Sequence, residues 1–290
     1  MSIEFTKSHG AGNDFILIED LSDQLGLLDP KLVAALCDRH QGVGADGLIR
    51  ITSSPNADFF MDYYNADGGV AEMCGNGIRC LAKYVADRGI ATGDALQVDT
   101  RAGVKDLVLS RDADGIVDRV RVDMGPPILE RARIPVAGDG DPLHVGVAAE
   151  GERFDAACVS MGNPHAVVFV DRLARIPVER YGPAIETAPA FPARANVEFT
   201  EVLTLDEVRV RVWERGVGET QACGTGACAT AVAASLRGLT GRAVAVHMPG
   251  GTLDIDWTEV TVYLTGPVVE VFSGTFDPQV ARMLPTTAQR

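Results

Sequence analysis

Short runs of alternating or continuous apolar residues dominate the chain, and this pattern predicts a protein rich in β-strands with few helices. In the first half, strands are predicted at 15–20, 58–65, 104–110 and 117–125. The last two flank an Asp-Gly turn signal, which predicts a β-hairpin. In the second half the pattern recurs in the segments HAVVFVD, VEFTEV, VRVRVWERG, AVAVHM, LDIDW, VTVYLTG and VVEVFSG.

Three segments carry the pattern of a helix instead. The first follows Asp29, a preferred N-cap residue, and begins with Pro30, which is favoured at the first helical position. The other two run over about residues 76–87 and 225–239, and each begins directly after a Cys-Gly pair. The same local device therefore occurs once in each half of the chain.

The repetition of strands, a Cys-Gly helix start and further strands predicts two domains of similar architecture. The segment 125–135 is the expected crossing between them, because its prolines interrupt both helices and strands. We expect the first domain to span 1–125, completed by the C-terminal segment 267–290, and the second domain to span 126–266. A chain of 290 residues is long enough for two domains with a substantial core.

Charge and hydropathy narrow the class of function. The formal net charge of −14 argues against nucleic acid or an anionic membrane as a partner, because both require a basic face. The N-terminus lacks the basic start and apolar core of a signal peptide. No apolar run approaches the roughly 18 residues that a membrane span needs. We therefore expect a cytoplasmic protein with no membrane partner.

The cysteines divide into two groups. Six cysteines are too few for a disulfide framework in a chain of this length, and none forms a CxxC pair. Their spacings do not match those of zinc ligands, so no metal site is expected. Cysteines within helices and strands usually pack in the core, which is the expectation for Cys37, Cys80, Cys158 and Cys228. Cys74 and Cys223 differ because each directly precedes a helix.

A cysteine at a helix N-terminus lies among unpaired backbone N–H groups and at the positive end of the helix dipole. This environment favours the thiolate, so the pKa of a thiol in such a position is expected to fall. The neighbouring glycines allow the backbone to approach an anion closely, and they are Gly75, Gly77, Gly224 and Gly226. One such device indicates a reactive cysteine. Two of them indicate an acid and a base that act on opposite faces of one substrate carbon.

At these residues the chain resembles the diaminopimelate epimerases, a family of cofactor-independent amino-acid racemases and epimerases. The resemblance covers most of the chain, and the motifs follow in the family's order. They are HGAGNDF (9–15), NADGGVAEMCGNGIRC (65–80), GNPHAV (162–167), NVEF (196–199) and ERGVGETQACGTGACA (214–229). The resemblance implies an α/β fold of two pseudo-symmetric domains. Each is a mostly antiparallel sheet wrapped around a central helix, with the active site in the interdomain cleft.

The resemblance also implies a role for each matching residue. Cys74 and Cys223 match the catalytic acid–base pair, and His165 and Glu214 match residues that tune the cysteines and meet the substrate ammonium. The residues that match the groups binding the carboxylate at the reacting carbon are Gly75, Asn76, Gly224 and Thr225. The residues that match the side chains around the substrate, largely its distal end, are Asn13, Asn65, Asn163, Asn196 and Arg215.

These residue types suit the implied chemistry. Arginine can bind a carboxylate bidentately, and asparagine offers both a donor and an acceptor to a zwitterionic amino-acid group. Taken singly, each residue also has a structural explanation, as a turn residue, a core histidine or a surface ion pair. Three positions depart from the family pattern. Gly47 has no side chain to contact a substrate, Gly69 replaces the more usual serine, and Phe272 stands where some members have a tyrosine at the dimer interface.

The implied function is the interconversion of LL- and meso-diaminopimelate by a two-cysteine acid–base mechanism, an isomerase reaction in lysine and peptidoglycan precursor biosynthesis. The resemblance implies no cofactor, a small amino-acid substrate and a homodimer. The alternative within the same fold is a racemase of the proline, hydroxyproline or histidine type, although proline racemases typically have histidine where this chain has Asn76. Which cysteine is the thiolate at rest stays open.

Two further classes of protein are alternatives to this implied function. A pyridoxal-phosphate racemase requires a Schiff-base lysine beside a phosphate-binding loop. No such loop adjoins the available lysines, which are Lys7, Lys31, Lys83 and Lys105. A non-catalytic amino-acid-binding protein is the other class, and exchange of solvent deuterium into a bound amino acid distinguishes it from an enzyme.

Overall fold

The computed structural model describes residues 2–278. They divide into two compact units, one formed by the chain up to Val122 together with the C-terminal stretch from Pro267, and the other by Asp123–Gly266. Part of the C-terminal segment predicted to complete the first domain, residues 279–290, lies outside the described residues. The assignment of these units as two epimerase domains stays a prediction.

The first unit is a mixed sheet with one long helix packed against it. Its strands are β1 (Ile3–Gly10), β2 (Asn13–Glu19), β3 (Gly47–Thr52), β4 (Phe59–Asn65), β5 (Ala95–Asp99), β6 (Lys105–Arg111), β7 (Val117–Asp123) and a C-terminal strand (Val269–Phe276). Its helices are α1 (Pro30–Cys37) and α2 (Gly75–Asp87). The C-terminal strand pairs antiparallel with β1, and β1 pairs antiparallel with β2.

Local chemistry accounts for the helices of this unit. At α1, the Asp29 carboxylate accepts a hydrogen bond from the Lys31 backbone N–H at 2.9 Å, as predicted for an N-cap residue. In α2, apolar residues recur at helical spacing and are buried, and they are Ile78, Leu81, Ala82 and Val85. The apolar stripe holds α2 against the sheet, and Cys74 stands directly before its first residue.

The second unit has the same kind of architecture. Its strands are β8 (Val145–Ala149), β9 (Glu152–Ser160), β10 (Pro164–Phe169), β11 (Asn196–Val202), β12 (Glu207–Glu214), β13 (Gly218–Thr220), β14 (Ala243–Met248), β15 (Gly251–Trp257) and β16 (Val262–Pro267). Its helices are α3 (Val178–Glu186) and α4 (Gly224–Leu236), with a 3₁₀ turn at Leu173–Arg175. Across residues 2–278, every helix falls short of the length and apolar composition needed to span a bilayer.

The two units repeat one connectivity. In the first unit, β1–β2 is antiparallel, β2–β3 parallel, β3–β4 antiparallel and β4–β5 parallel, with α2 between the last two strands. In the second unit, β9–β10, β10–β11, β11–β12 and β12–β14 follow the same sequence of orientations, with α4 before the last strand. The central helices α2 and α4 are each 13 residues long. The internal repeat predicted from the two Cys-Gly helix starts is therefore present in the fold.

Some elements were not predicted. Helix α3 contains Pro183, which usually interrupts a helix, but its residues Val178 and Ile185 are buried in the core of the second unit. Tertiary packing outweighs local propensity there. Strand β1 was not predicted, because its polar residues Thr6, Lys7 and Ser8 are buried. The alternation of buried apolar and exposed polar residues that indicates a strand is therefore missing from its sequence.

We expect Gly182→Ala to lower the free energy of unfolding by up to about 2 kcal/mol. A Cβ at Gly182 would lie 2.5 Å from Cγ of Trp213, a rigid ring that cannot move aside. Overpacking of this kind costs about 1–3 kcal/mol, which exceeds the roughly 1 kcal/mol that alanine gains over glycine in a helix. Gly146→Ala is the matched control, because a Cβ there meets no atom within 4 Å. Urea unfolding of both variants measures the difference, and equal stability would contradict the packing argument.

Candidate active site

Cys74 lies at the start of α2, beside a side chain from the start of β2. Its sulfur is 3.6 Å from Asn13 Oδ1. The same oxygen accepts a hydrogen bond from Asn76 Nδ2 at 3.0 Å. Asn13 in turn donates from Nδ2 to Asp46 Oδ2 at 2.7 Å. This chain of contacts holds the Asn13 amide with its oxygen towards the thiol and the helix start.

The first turn of α2 is also held from inside the unit by Arg79. This arginine is fully buried, and it donates to Gly75 O at 2.9 Å and to Asn76 Oδ1 at 3.0 Å. Neither Arg79 nor Asp46 was among the predicted site residues. A signal for Arg79 was available, since this arginine stands between the apolar residues Ile78 and Cys80 in the motif that contains Cys74.

Asn65 ends β4, and the turn after it leads towards Cys74. Its backbone N–H donates to Gly69 O at 2.8 Å, and its carbonyl accepts from Gly68 N at 2.9 Å. The Asp67 carboxylate accepts a hydrogen bond from the Gly69 backbone N–H at 2.8 Å. Glycine in place of serine at position 69 is thus accommodated, because the turn is closed by the backbone and by Asp67.

Cys223 stands directly before α4, in the position that Cys74 occupies before α2. Its sulfur is 3.5 Å from Thr225 Oγ1, and it also hydrogen-bonds the carboxylate of Glu214 at the end of β12. Glu214 Oε1 accepts a further hydrogen bond from Thr220 Oγ1 at 2.5 Å. The buried thiol therefore lies between a hydroxyl and a carboxylate.

This environment makes Cys223 a weaker acid than an exposed cysteine. Burial raises the pKa of the Cys223 thiol well above its usual value, and the carboxylates of Glu214 and Glu198 raise it further. Hydrogen bonds from Thr225 and from the backbone at Gly226 lower the pKa but do not offset the burial. The predicted fall in thiol pKa is thus wrong for Cys223, because the sequence shows the helix start but neither the desolvation nor both carboxylates. At neutral pH Cys223 carries its proton.

Glu214 shares this environment. Burial raises the pKa of the Glu214 carboxyl, while hydrogen bonds from Thr220 and Cys223 and the charge of His165 act in the opposite direction. Arg215 follows it as an exposed residue and donates from Nη1 to Ala193 O at 3.2 Å.

Asn196 has a clear structural role at the start of β11. It is buried, its Oδ1 accepts from the Arg215 backbone N–H at 2.9 Å, and its Nδ2 donates to Pro164 O at 3.0 Å. Both ends of its amide therefore bind backbone groups and hold the ends of neighbouring strands together. A contact with substrate stays a prediction for this residue.

His165 is fully buried near the start of β10. Its Nδ1 lies 2.7 Å from Glu198 Oε1, and its Nε2 lies 2.9 Å from Asn163 Oδ1. Glu198 belongs to the NVEF motif but was not predicted as a site residue. The available signal was a carboxylate between the apolar residues Val197 and Phe199.

Each unit therefore holds one thiol at a helix start, next to an oxygen acceptor from its own sheet. The predicted site residues of the first unit are Asn13, Asn65, Cys74, Gly75 and Asn76. Those of the second unit are Asn163, His165, Asn196, Glu214, Arg215, Cys223, Gly224 and Thr225. In the described part of the chain, no three His, Cys, Asp or Glu side chains converge as metal ligands would.

Solved structures define the class of fold first. A probable proline racemase from Agrobacterium radiobacter, solved with bound carbonate, matches with a TM-score of 0.71 at 16% identity, covering 95% of this chain and 93% of that chain. A hydroxyproline epimerase from Agrobacterium vitis matches with a TM-score of 0.70 at 18% identity, covering 97% of this chain and 94% of that chain. The chain thus has the fold of the racemases and epimerases built from two pseudo-symmetric α/β domains, and the predicted fold class is confirmed.

Sequence similarity then identifies the family within that fold. The family model for diaminopimelate epimerase matches residues 5–130 and 157–271. The diaminopimelate epimerase of Pelotomaculum thermopropionicum is 52% identical over 281 residues, which cover 94% of this chain and 99% of that protein. The chain belongs to the diaminopimelate epimerase family, a family of isomerases, and the resemblance noted in the sequence is confirmed.

Proposed function

We propose that this protein interconverts LL- and meso-diaminopimelate without a cofactor, by removing a proton from one face of the Cα carbon and returning a proton to the other. Family membership supports the substrate. The observation that carries the two-thiol chemistry is the equivalent position of Cys74 and Cys223, each directly before a 13-residue central helix in a repeated fold. That both thiols reach one carbon is a requirement of the proposal.

In this mechanism one cysteine is a thiolate and the other a thiol. The raised pKa of Cys223 supports its assignment as the thiol at neutral pH, so Cys223 protonates the carbanion while Cys74 removes the proton. The reverse reaction exchanges the two roles. Glu214 hydrogen-bonds the Cys223 thiol, which supports a role in retaining the proton until the carbanion forms.

The Cα–H of an amino acid is a very weak acid, so the site must stabilise the negative charge that develops. Backbone N–H groups in the first turn of a helix point away from the helix and attract anions. We assign this role to the starts of α2 and α4, where the substrate carboxylate would bind at Gly75, Asn76, Gly224 and Thr225. Donors directed at a developing anion supply a large part of the rate acceleration in such reactions.

The remaining polar side chains are assigned to the distal amino-acid group of the substrate. Diaminopimelate carries two amino-acid heads, and the polar residues predicted around it exceed the number that one head needs. These residues are Asn13, Asn65, Asn163, Asn196 and Arg215. Arg215 is exposed at the end of β12, which leaves its guanidinium accessible to a carboxylate. His165 is assigned to tuning a cysteine and to the substrate ammonium.

We also propose that the protein acts as a homodimer in the cytoplasm, within lysine and peptidoglycan precursor biosynthesis. The C-terminal strand supports the dimer, because it exposes the apolar side chains of Val271 and Phe272 to solvent. The ring of Phe272 contacts Phe5 edge-on, with 6.0 Å between ring centroids. Phenylalanine in place of tyrosine keeps this packing role.

Incubation of the purified protein with LL-diaminopimelate in deuterated water tests the function. We expect meso-diaminopimelate to accumulate, with solvent deuterium in the product at the inverted carbon, because the returned proton comes from a thiol that exchanges with solvent. Chiral chromatography and mass spectrometry measure both. Proline, hydroxyproline, histidine and alanine are the comparison substrates, and turnover of any of them at a comparable rate would refute the assignment.

A further inference from the structure

The two units place different side chains against the first turn of their central helices. In the first unit, a Cβ at Gly77 would lie 2.7 Å from Cδ1 of Ile49 and 3.4 Å from Cε1 of Phe15, so apolar side chains fill this space. In the second unit, a Cβ at Gly226 would lie 2.7 Å from Oε1 of Glu198. The same location therefore holds an apolar side chain in one unit and a carboxylate in the other.

The repeated strand register makes these positions equivalent. Phe15 lies opposite the first residue of β3, and His165 lies opposite the first residue of β11. Ile49 and Glu198 are the third residues of those same two strands. The apolar pair of Phe15 and Ile49 in the first unit thus corresponds to the hydrogen-bonded pair of His165 and Glu198 in the second.

The polar pair is not required by the fold. Glu198 is fully buried, and within the described residues its Oε2 has no hydrogen-bond partner. Burying a carboxylate that is only half satisfied costs free energy, whereas an apolar pair at the same place does not. The first unit shows that apolar side chains suffice for packing at this location. The retained charge therefore points to a role in function.

We propose that Glu198 is a positioning residue for the reaction: it orients His165 through Nδ1 and, across Gly226, couples that orientation to the helix start that carries Cys223. This inference rests on the proposed function. An ionised carboxylate only accepts hydrogen bonds, so Nδ1 of His165 donates a hydrogen to Glu198. Nε2 is then directed at Asn163. A carboxylate of this kind sets both the tautomer and the orientation of a histidine.

Gly226 is the structural link between Glu198 and Cys223. The position that a Cβ would take at Gly226 lies 2.7 Å from Glu198 Oε1 and 3.3 Å from Cys223 Sγ. Only glycine leaves room for the carboxylate and the sulfur to share this surface. The carboxylates that face Cys223 from the surrounding strands are Glu198 on β11 and Glu214 on β12, and His165 on β10 pairs with Glu198.

The first experiment compares Glu198→Gln and Glu198→Ala with Thr200→Val. We expect Glu198→Gln to lower kcat/KM about 10- to 100-fold, mainly through kcat, and Glu198→Ala to lower it further, because alanine also loses the hydrogen bond to His165. Thr200 is a matched control: it lies two residues along β11, is fully buried, and within the described residues its hydroxyl has no partner. Thr200→Val is expected to keep the wild-type kcat/KM.

The pH dependence of kcat/KM and of Cys223 alkylation distinguishes a positioning role of Glu198 from a role in packing alone. Removing the negative charge of Glu198 favours the Cys223 thiolate, so the alkaline limb of the kcat/KM profile should move to lower pH in Glu198→Gln. The rate of alkylation of Cys223 by iodoacetamide, followed by mass spectrometry, should shift in the same direction. A purely structural role would lower the stability or the activity without moving either profile.

A double-mutant cycle tests the link through Gly226. We expect Gly226→Ala to lower kcat/KM strongly in the wild-type background, because the new Cβ displaces Glu198, and to have a smaller effect in Glu198→Ala, where only the contact of the Cβ with Cys223 remains. Wild-type activity with unshifted pH profiles in Glu198→Gln would overturn the inference. The alkylation measurement needs no substrate, so it distinguishes failure of the proposed function from failure of the role of Glu198. A wild-type protein inactive on diaminopimelate refutes the proposed function, and an unshifted alkylation profile in Glu198→Gln refutes the role of Glu198.

Discussion

Cys74→Ala and Cys223→Ala are each expected to reduce epimerisation by roughly 10⁴-fold or more, because inversion requires a base on one face and an acid on the other. Serine at either position should leave little activity, since a hydroxyl is a much weaker acid than a thiol. The measurement is kcat for the conversion of LL- to meso-diaminopimelate and for the reverse reaction. A variant that retains substantial turnover in either direction would exclude its cysteine from the acid–base pair.

Each alanine variant is nevertheless expected to retain a half-reaction. An analogue with a halogen on the β-carbon needs only one base: the remaining cysteine, once it is a thiolate, takes the α-proton, the electron pair forms the Cα–Cβ double bond, and halide leaves. In Cys74→Ala this base is Cys223, whose raised pKa moves the elimination to alkaline pH. Because the two thiols act on opposite faces, Cys74→Ala and Cys223→Ala should process opposite stereoisomers of the analogue. Halide release from each isomer measures this. If both variants eliminate from the same isomer equally well, the two-face mechanism is wrong.

Two other cysteines provide matched controls for packing. Cys80 and Cys228 lie further along the same helices α2 and α4 and are fully buried. Burial raises the pKa of Cys80 to about 12, so this thiol stays protonated and unreactive at neutral pH. Cys80→Ala and Cys228→Ala should therefore lower stability but retain kcat. Equal losses of activity in all four alanine variants would point to disruption of the helices instead of loss of acid–base groups.

Arg215→Ala is expected to lower kcat/KM for diaminopimelate by about 10²- to 10³-fold. A bidentate arginine–carboxylate pair that becomes shielded from water contributes several kcal/mol to binding, and its loss leaves the distal carboxylate unpaired. Arg209→Ala is the matched control: Arg209 lies on β12, the strand that Arg215 directly follows, is more than half exposed and makes a long ion pair with Glu201 at 3.5 Å. Its replacement should leave the kinetics unchanged.

The same Arg215 variant reports on substrate discrimination. If Arg215 binds the distal carboxylate, its removal should reduce the preference for diaminopimelate over amino acids with a single head. Steady-state kinetics on LL-diaminopimelate and on a single-headed analogue of the same chain length measure the ratio of kcat/KM values. An unchanged ratio would place Arg215 outside the distal subsite.

Features that depend on neighbouring residues in the chain were predictable. The capping of α1 by Asp29 and the starts of α2 and α4 after Cys74 and Cys223 follow from local backbone chemistry and apolar spacing. The internal repeat followed from the recurrence of one short device. Helix α3 was not predictable in this way, because Pro183 opposes it locally and only the packing of Val178 and Ile185 in the core maintains it.

The sequence by itself determined the repeated architecture, the family and the position of two cysteines directly before the central helices. These features follow from residue order and from motifs that are contiguous in the chain. Only the tertiary structure decided the state of Cys223 and the surroundings of His165. The thiol pKa of Cys223 depends on burial and on Glu198 and Glu214, which come from separate strands. The pairing of Glu198 with His165 depends on the register between β10 and β11. Desolvation and contacts between distant strands arise only when the chain is folded, and they set the acidity that local motifs leave undetermined.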